Sequence, residues 1–150
     1  MSEDTPSEST SDAPGAFDPA AAGWEPVADH GFVGLVGPVF RRRRGAAYEF
    51  GFRAEPKHAN LRDVVQGGML MTLADRALGR MAWRAAGEKP VATIQFDMQF
   101  VSAAELGEFI ETQPEVVRRT SALVFMRGTL RVGARVVANA QGVWKILGRS

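Results

Sequence analysis

Residues 69–86 read MLMTLADRALGRMAWRAA and residues 91–101 read VATIQFDMQFV. Between them the hydrophobic period changes from about 3.6 residues to two, as it does where a helix gives way to a strand. In the first stretch Leu70, Met71, Ala74, Ala77, Leu78, Met81 and Ala82 fall on one arc of a helical wheel. Arg76, Arg80 and Arg84 are assigned to the opposite side, where like charges at i,i+4 slightly disfavour the isolated helix. That stripe reads most simply as a solvated face. Gly87 stops the helix, with Pro90 just beyond. In the second stretch Ile94, Phe96, Met98 and Phe100 share one face, and Thr93, Gln95, Asp97 and Gln99 the other.

The flanking sequence extends this pair into a domain. Upstream, 45–53 (GAAYEFGFR) alternates Tyr48, Phe50 and Phe52 as a half-buried strand does. Residues 31–40 (GFVGLVGPVF) read as a lead-in loop, and 54–68 as a polar loop ending in a glycine pair. Downstream, 107–118, 121–132 and 135–147 read as three more strands, with turns near Arg119–Thr120 and Gly133–Ala134. Gly107 and Gly128 mark bulges or close approaches. The apolar arc of the helix must be buried, and the apolar faces of the strands are the surface available. The expected fold is α+β, a curved antiparallel sheet wrapped around one long central helix.

Composition bounds the rest. The 150 residues suit a single domain, and 45% hydrophobic with 23% charged content is ordinary for a globular protein. Residues 1–23 are rich in Ser, Asp, Glu, Pro and Ala and read as a disordered acidic tail, leaving 24–150 as the domain. There is no cysteine, hence no disulfide framework, thiolate nucleophile or cysteine zinc site. No apolar run approaches the roughly 20 residues that span a bilayer. The first residues lack the pattern of a secretory signal, so a cytoplasmic location is expected. The net charge of +1 hides an asymmetry: residues 1–40 carry seven acids and no Lys or Arg, and the remainder holds all 18 bases. A domain so basic should attract an anion, either a phosphate-bearing small molecule or nucleic acid. The run Arg41-Arg42-Arg43-Arg44 invites the second reading, but it is short, abuts a strand and lacks a recognisable RNA- or DNA-binding module. No nucleic-acid partner is expected.

Chemistry concentrates around the start of the helix. Asp75 sits at the margin of the apolar arc beside Gly68, Thr72 and Gly79, where a carboxylate is costly unless hydrogen-bonded or used. Gln66-Gly67-Gly68 precede the helix, whose first N–H groups have no partner within it and can polarise a carbonyl or hold an anion. Without a side chain, Gly67 would let a ligand reach its N–H. His58 has no second ligand at useful spacing, so no metal is expected. No glycine-rich phosphate loop, nucleophile elbow or Ser/His arrangement is present, and no cofactor is expected.

The series His58-Ala59-Asn60, Val64-Val65-Gln66-Gly67-Gly68 and Leu73-Ala74-Asp75-Arg76-Ala77 resembles the signature of PaaI-like hotdog thioesterases, roughly H-x-N, then H-G-G, then six residues and D. The resemblance extends over the strand, helix and four-strand order from about Val33 to Leu147. It implies a hotdog fold and hydrolysis of an acyl-CoA to a free acid and CoA. Asp75 would be the catalytic carboxylate, as general base toward water or as nucleophile through a mixed anhydride. The Gly67 N–H would bind the thioester oxygen, Asn60 would help orient the thioester or the water, and Thr93 would position water. The resemblance also implies a homodimer with sites across its interface, paired into a tetramer, and Arg118, Arg119 and Arg127 are candidates for the CoA phosphates. Two positions depart from the pattern: Gln66 replaces the usual His, and Asp63 a common Gly. An amide cannot shuttle protons, which argues against a histidine-based mechanism and fits an Asp-centred one. The alternative is a non-catalytic hotdog module that binds acyl-CoA. Met69, Met71, Met81, Trp83, Phe96 and Met98 could line an acyl pocket or simply fill the core.

Overall fold

The computed structural model describes residues 17–148. Of the expected tail, residues 1–16 lie outside the described residues, and the last seven pack on the domain. Phe17 sits against Phe109 with ring centroids 4.8 Å apart, and its carbonyl accepts a hydrogen bond from Arg53. A turn through Pro19–Gly23 then delivers Trp24 into the interior. Phe17 and Pro19 supply apolar anchors that an average over composition hides.

The elements are strand β1 (Glu25–Pro26), helix α1 (Gly31–Val36), strands β2 (Phe40–Arg44) and β3 (Ala47–Arg53), then helix α2 (Gly67–Ala85). Strands β4 (Val91–Phe100), β5 (Phe109–Thr112), β6 (Glu115–Arg119), β7 (Leu123–Val132) and β8 (Arg135–Ile146) follow. All pairings are antiparallel in one sheet of order β1-β2-β3-β5-β7-β8-β4, with β6 added beside β7. The sheet curls around α2, as the sequence predicts. Among the described residues no helix is long and apolar enough to cross a membrane.

Two expectations need correction, and the arginine run read as abutting a strand is itself one. Residues 31–36 form a helix, not a loop: Val33 and Val36 pack on the core, and the Val36 carbonyl accepts from His58 Nε2 at 2.5 Å. Residues 40–44 form a strand of their own, because alternate arginines find partners on its two faces. Arg42 and Arg44 both pair with the buried Glu49, at 2.7 and 3.1 Å, while Arg41 and Arg43 turn toward α2. The expected strand 107–118 is broken at Gln113-Pro114, where the proline has no N–H for the ladder.

Helix α2 supplies the centre of the core, with Met69, Leu70, Leu73, Ala74, Ala77, Leu78 and Ala82 buried. They span about 220° of the wheel at 100° per residue, a wider arc than expected. A curved sheet covers more of a helix than a flat one, so it reaches Met69 and Leu73 while Met71 and Met81 stay half-buried. Each fully buried Leu stabilises by about 1.5–3 kcal/mol. Gly128 marks the close approach of β7 to α2, since a Cβ there would lie 2.9 Å from Leu78 Cδ1. Gly107 takes φ 88° in the turn before β5. The arginine stripe lies on the flank of the buried arc rather than on a free face. Arg76 pairs with Asp29 at 2.9 Å, and Arg80 and Arg84 stack on Trp83 and Tyr48.

Candidate active site

Gln66 caps α2: its Oε1 accepts from the Met69 N–H at 3.1 Å, and its own N–H donates to the His58 carbonyl at 2.8 Å. The amide therefore does the work of an N-cap, satisfying a donor that the helix cannot. Gly67 is the first helical residue and lies against the ring of Phe100, from which an added Cβ would be 3.1 Å away. Val65, Gly67, Leu70, Phe100 and the backbone after β4 enclose an apolar groove at this end of the helix. Asn60 braces the loop that carries Val65 to this groove. Its Oδ1 accepts from the N–H groups of Arg62 at 2.8 Å and Val64 at 3.3 Å, so its carbonyl side is committed to the loop.

Asp75 lies two turns further along α2, exposed in the single chain, and its Oδ1 accepts from Thr93 Oγ1 at 2.9 Å. That contact depends on an irregularity that alternation does not reveal. From Gln95 to Phe100 the strand β4 pairs residue for residue with β8, so Phe96, Met98 and Phe100 oppose Gly142, Ala140 and Ala138 on the inner face. Continued one step at a time, the pattern would turn Thr93 outward with Gln95 and Asp97. A bulge at Ile94 shifts the register, and Thr93 instead opposes the buried Trp144 and faces the helix. The sequence expectation that Thr93 shares a face with Gln95, Asp97 and Gln99 is thus overturned. Gly142 permits the bulge: a Cβ on it would come within 2.7 Å of the Gln95 carbonyl.

The remaining residues singled out from sequence lie elsewhere. Arg118 and Arg119 are exposed on β6; Arg119 is in one cross-strand row with Val124, Trp144 and Thr93. Three strand spacings separate Arg119 from Thr93, about 14 Å. Arg127 stands on the outer face, away from α2, paired with Glu115 at 2.8 Å. His58 is buried and structural. Its Nδ1 accepts from the Glu55 N–H at 2.9 Å, which leaves Nε2 to carry the proton given to Val36. Among the described residues no three His, Asp or Glu side chains gather as a metal site.

Within one chain Gly67 and Asp75 cannot meet on a single substrate. Eight residues of helix separate them by about 12 Å along the axis, whereas reacting atoms must approach to roughly 3–3.5 Å. Both nevertheless lie along the same strand, β4, with Thr93 near one end and Phe100 at the other. That strand has no neighbour on its outer edge among the described residues. It is ten residues long, and Ile94 and Phe100 on it are more than half exposed.

Comparison with known proteins supports the fold reading. The thioesterase superfamily model matches residues 63–139, from the loop before α2 into β8. PA0474 of Pseudomonas aeruginosa, provisionally described as an esterase, is 32% identical over 114 residues, covering 75% of this chain and 85% of its own. Zebra fish thioesterase superfamily member 2 superposes with a TM-score of 0.72 at 20% identity, covering 79% of this chain and 88% of its own. A mutant of the phenylacetic acid degradation protein PaaI from Thermus thermophilus gives 0.68 at 19% identity, covering 77% and 98%. BH2602 from Bacillus halodurans, solved with CoA, gives 0.65 at 21% identity, covering 73% and 74%. With its antiparallel sheet closed around one central helix, the chain has the hotdog fold and belongs to the thioesterase superfamily.

Proposed function

We propose that the protein is an acyl-CoA thioesterase whose active site is shared between two copies paired along β4. The observation that carries this reading is the 2.9 Å hydrogen bond from Thr93 to Asp75 at a free sheet edge. Two β4 strands pairing antiparallel about a two-fold near Phe96–Asp97 would set Thr93 of one copy opposite Phe100 of the other. Asp75 of the first would then face Gly67 of the second, which removes the 12 Å gap within one chain. A long, apolar, unpaired edge strand is a template for such pairing. Pairing of these dimers into a tetramer is part of the same proposal.

In the shared site the Gly67 N–H donates to the thioester oxygen as negative charge grows on it. Asp75 then attacks the carbonyl carbon, or takes a proton from a water that attacks it, while Thr93 holds one of its oxygens; the C–S bond breaks and CoA leaves as the thiolate, and in the direct route water then hydrolyses the mixed anhydride. Asn60 orients the loop beside the groove, and Gln66 keeps the Gly67 amide aimed by capping the helix. Arg118 and Arg119 bind the CoA phosphates; that BH2602 was solved with CoA supports this ligand for the fold. Arg127 contributes less, since Glu115 already neutralises it.

The test is thiol release from a panel of acyl-CoAs of different chain length and aryl content. Wild type should turn over at least one, and Asp75→Asn should keep the fold and lose nearly all turnover. A fully active Asp75→Asn would overturn the assignment, and binding without release by wild type would mark an acyl-CoA-binding module. A single turnover in ¹⁸O-labelled water tests the nucleophilic role of Asp75: label entering its carboxylate means that a mixed anhydride formed and water attacked it at the Asp75 carbon.

A further inference from the structure

We propose that a second anion site lies between β2–β3 and the C-terminal half of α2, built for a diphosphate group. The two basic stretches that sequence keeps apart, Arg41–Arg44 and the helix stripe, meet in this cleft. It is lined by Arg41, Arg43, Arg80 and Arg84 together with Tyr48 and Trp83, and one acid, Glu88, stands at it. The strand register explains the sorting: Arg41 and Arg43 oppose Phe50 and Tyr48 on the face toward the helix, while Arg42 opposes Glu49 on the other. Arg42 and Arg44 turn there to share the buried Glu49, so only two of the four run arginines reach the cleft.

Those that reach it are held in place but little neutralised. The Arg84 guanidinium lies 4.9 Å from the Tyr48 ring centroid and that of Arg41 lies 5.6 Å from it, so two cations converge on one ring. Arg80 lies 4.1 Å from the Trp83 centroid. Arg41 has an exposed partner in Glu25 at 2.9 Å, and the Arg43 Nε donates to the Gly45 carbonyl at 3.1 Å. Among the described residues Arg43, Arg80 and Arg84 make no ion pair. Stacking fixes the plane of a guanidinium and leaves its N–H edge for a planar, multiply charged acceptor. Four cations against Glu88 and the Glu25 that Arg41 already holds leave a charge of +2, which matches the two negative charges of a diphosphate diester.

The cleft is not the thioester site of the same chain. Arg84 follows Asp75 by nine residues, about 13 Å along the axis and half a turn around it. A diphosphate there comes either from a free nucleotide or from CoA whose thioester sits in another copy. Both present the same group.

Calorimetric titration of the full chain with inorganic pyrophosphate tests this, with tryptophan emission as a second readout because Trp83 lines the cleft while Trp24 and Trp144 are buried. One saturable event per chain that Trp83 emission follows is expected; it should weaken at least tenfold in Arg80→Ala/Arg84→Ala and stay unchanged in Arg118→Ala/Arg119→Ala, whose effect is confined to heat that emission does not follow. Arg84→Lys, which keeps the charge and loses the planar fork, should weaken binding severalfold, and Trp83→Phe should keep the heat and lose the emission change. Displacement by CoA would assign the group to CoA, and displacement by a nucleoside diphosphate alone would assign it to a free nucleotide. Absence of saturable binding by wild type, or binding that survives Arg80→Ala/Arg84→Ala, would overturn the proposal. Asp75→Asn should bind pyrophosphate like wild type, which keeps this result separate from that of the thioesterase assay.

Discussion

The Thr93 hydroxyl donates to one oxygen of Asp75 and so fixes the rotation of the carboxylate while leaving its second oxygen to act. A hydrogen bond to a charged group contributes about 1.5–3 kcal/mol, which corresponds to roughly 10–100-fold in rate. Thr93→Val should therefore lower kcat by that factor, and Thr93→Ser should restore most of it; steady-state thiol release measures both. Gly67→Ala should also lower kcat/KM, because its methyl meets the Phe100 ring at 3.1 Å. Shrinking that ring in Gly67→Ala/Phe100→Leu should recover part of the loss. The places of Gln66, Gly67 and Asp75 at the cap, start and second turn onward of α2 were legible in the sequence because they share one helix register. The inward turn of Thr93 was not, because the bulge is made by pairing with β8 about fifty residues away, at a glycine that no local pattern singles out.

The elements around the site hold it through a few polar connections. His58 joins the loop before α2 to the end of α1 through the hydrogen bond from its Nε2 to the Val36 carbonyl, while its Nδ1 accepts from Glu55 within the loop and its ring meets Phe52 edge-on at 5.0 Å. His58→Ala would strand the Val36 carbonyl and open a void, for a loss of about 2–4 kcal/mol, read as a lower urea midpoint. On the far side of the sheet, burial raises the pKa of Glu111 above its usual 4.5 and Glu49 raises it further, while Arg42 and Arg44 oppose the change. Between pH 4.5 and the raised value the folded chain binds the proton more readily than the unfolded one, so this group makes stability fall as pH rises through that window. Glu111→Gln should remove that dependence and raise Tm at neutral pH. The central helix and long strands were readable because their periods are sustained. Helix α1 was not: six residues with two glycines carry no period, and its anchor, His58, lies over twenty residues downstream. The arginine run concealed a strand for a similar reason, since its alternation is electrostatic and depends on Glu49.

At the scale of the assembly the thioesterase proposal becomes a statement about copies. Ile94→Lys would set charges against the proposed two-fold and should shift the sedimenting species toward monomer while removing turnover, although Asp75 and Thr93 are intact. Mixing inactive Asp75→Asn chains with inactive Gly67→Val chains should regenerate activity, since each mixed pair keeps one site with both groups native. Random exchange would restore up to about a quarter of wild-type turnover, and no recovery after exchange would place both groups in one chain. The open border of β4 has a kinetic consequence as well. A folded chain standing alone would carry two half-sites and hydrolyse nothing, so dilution itself would act as an inhibitor. Specific activity plotted against enzyme concentration should climb from near zero and level off only where association is complete.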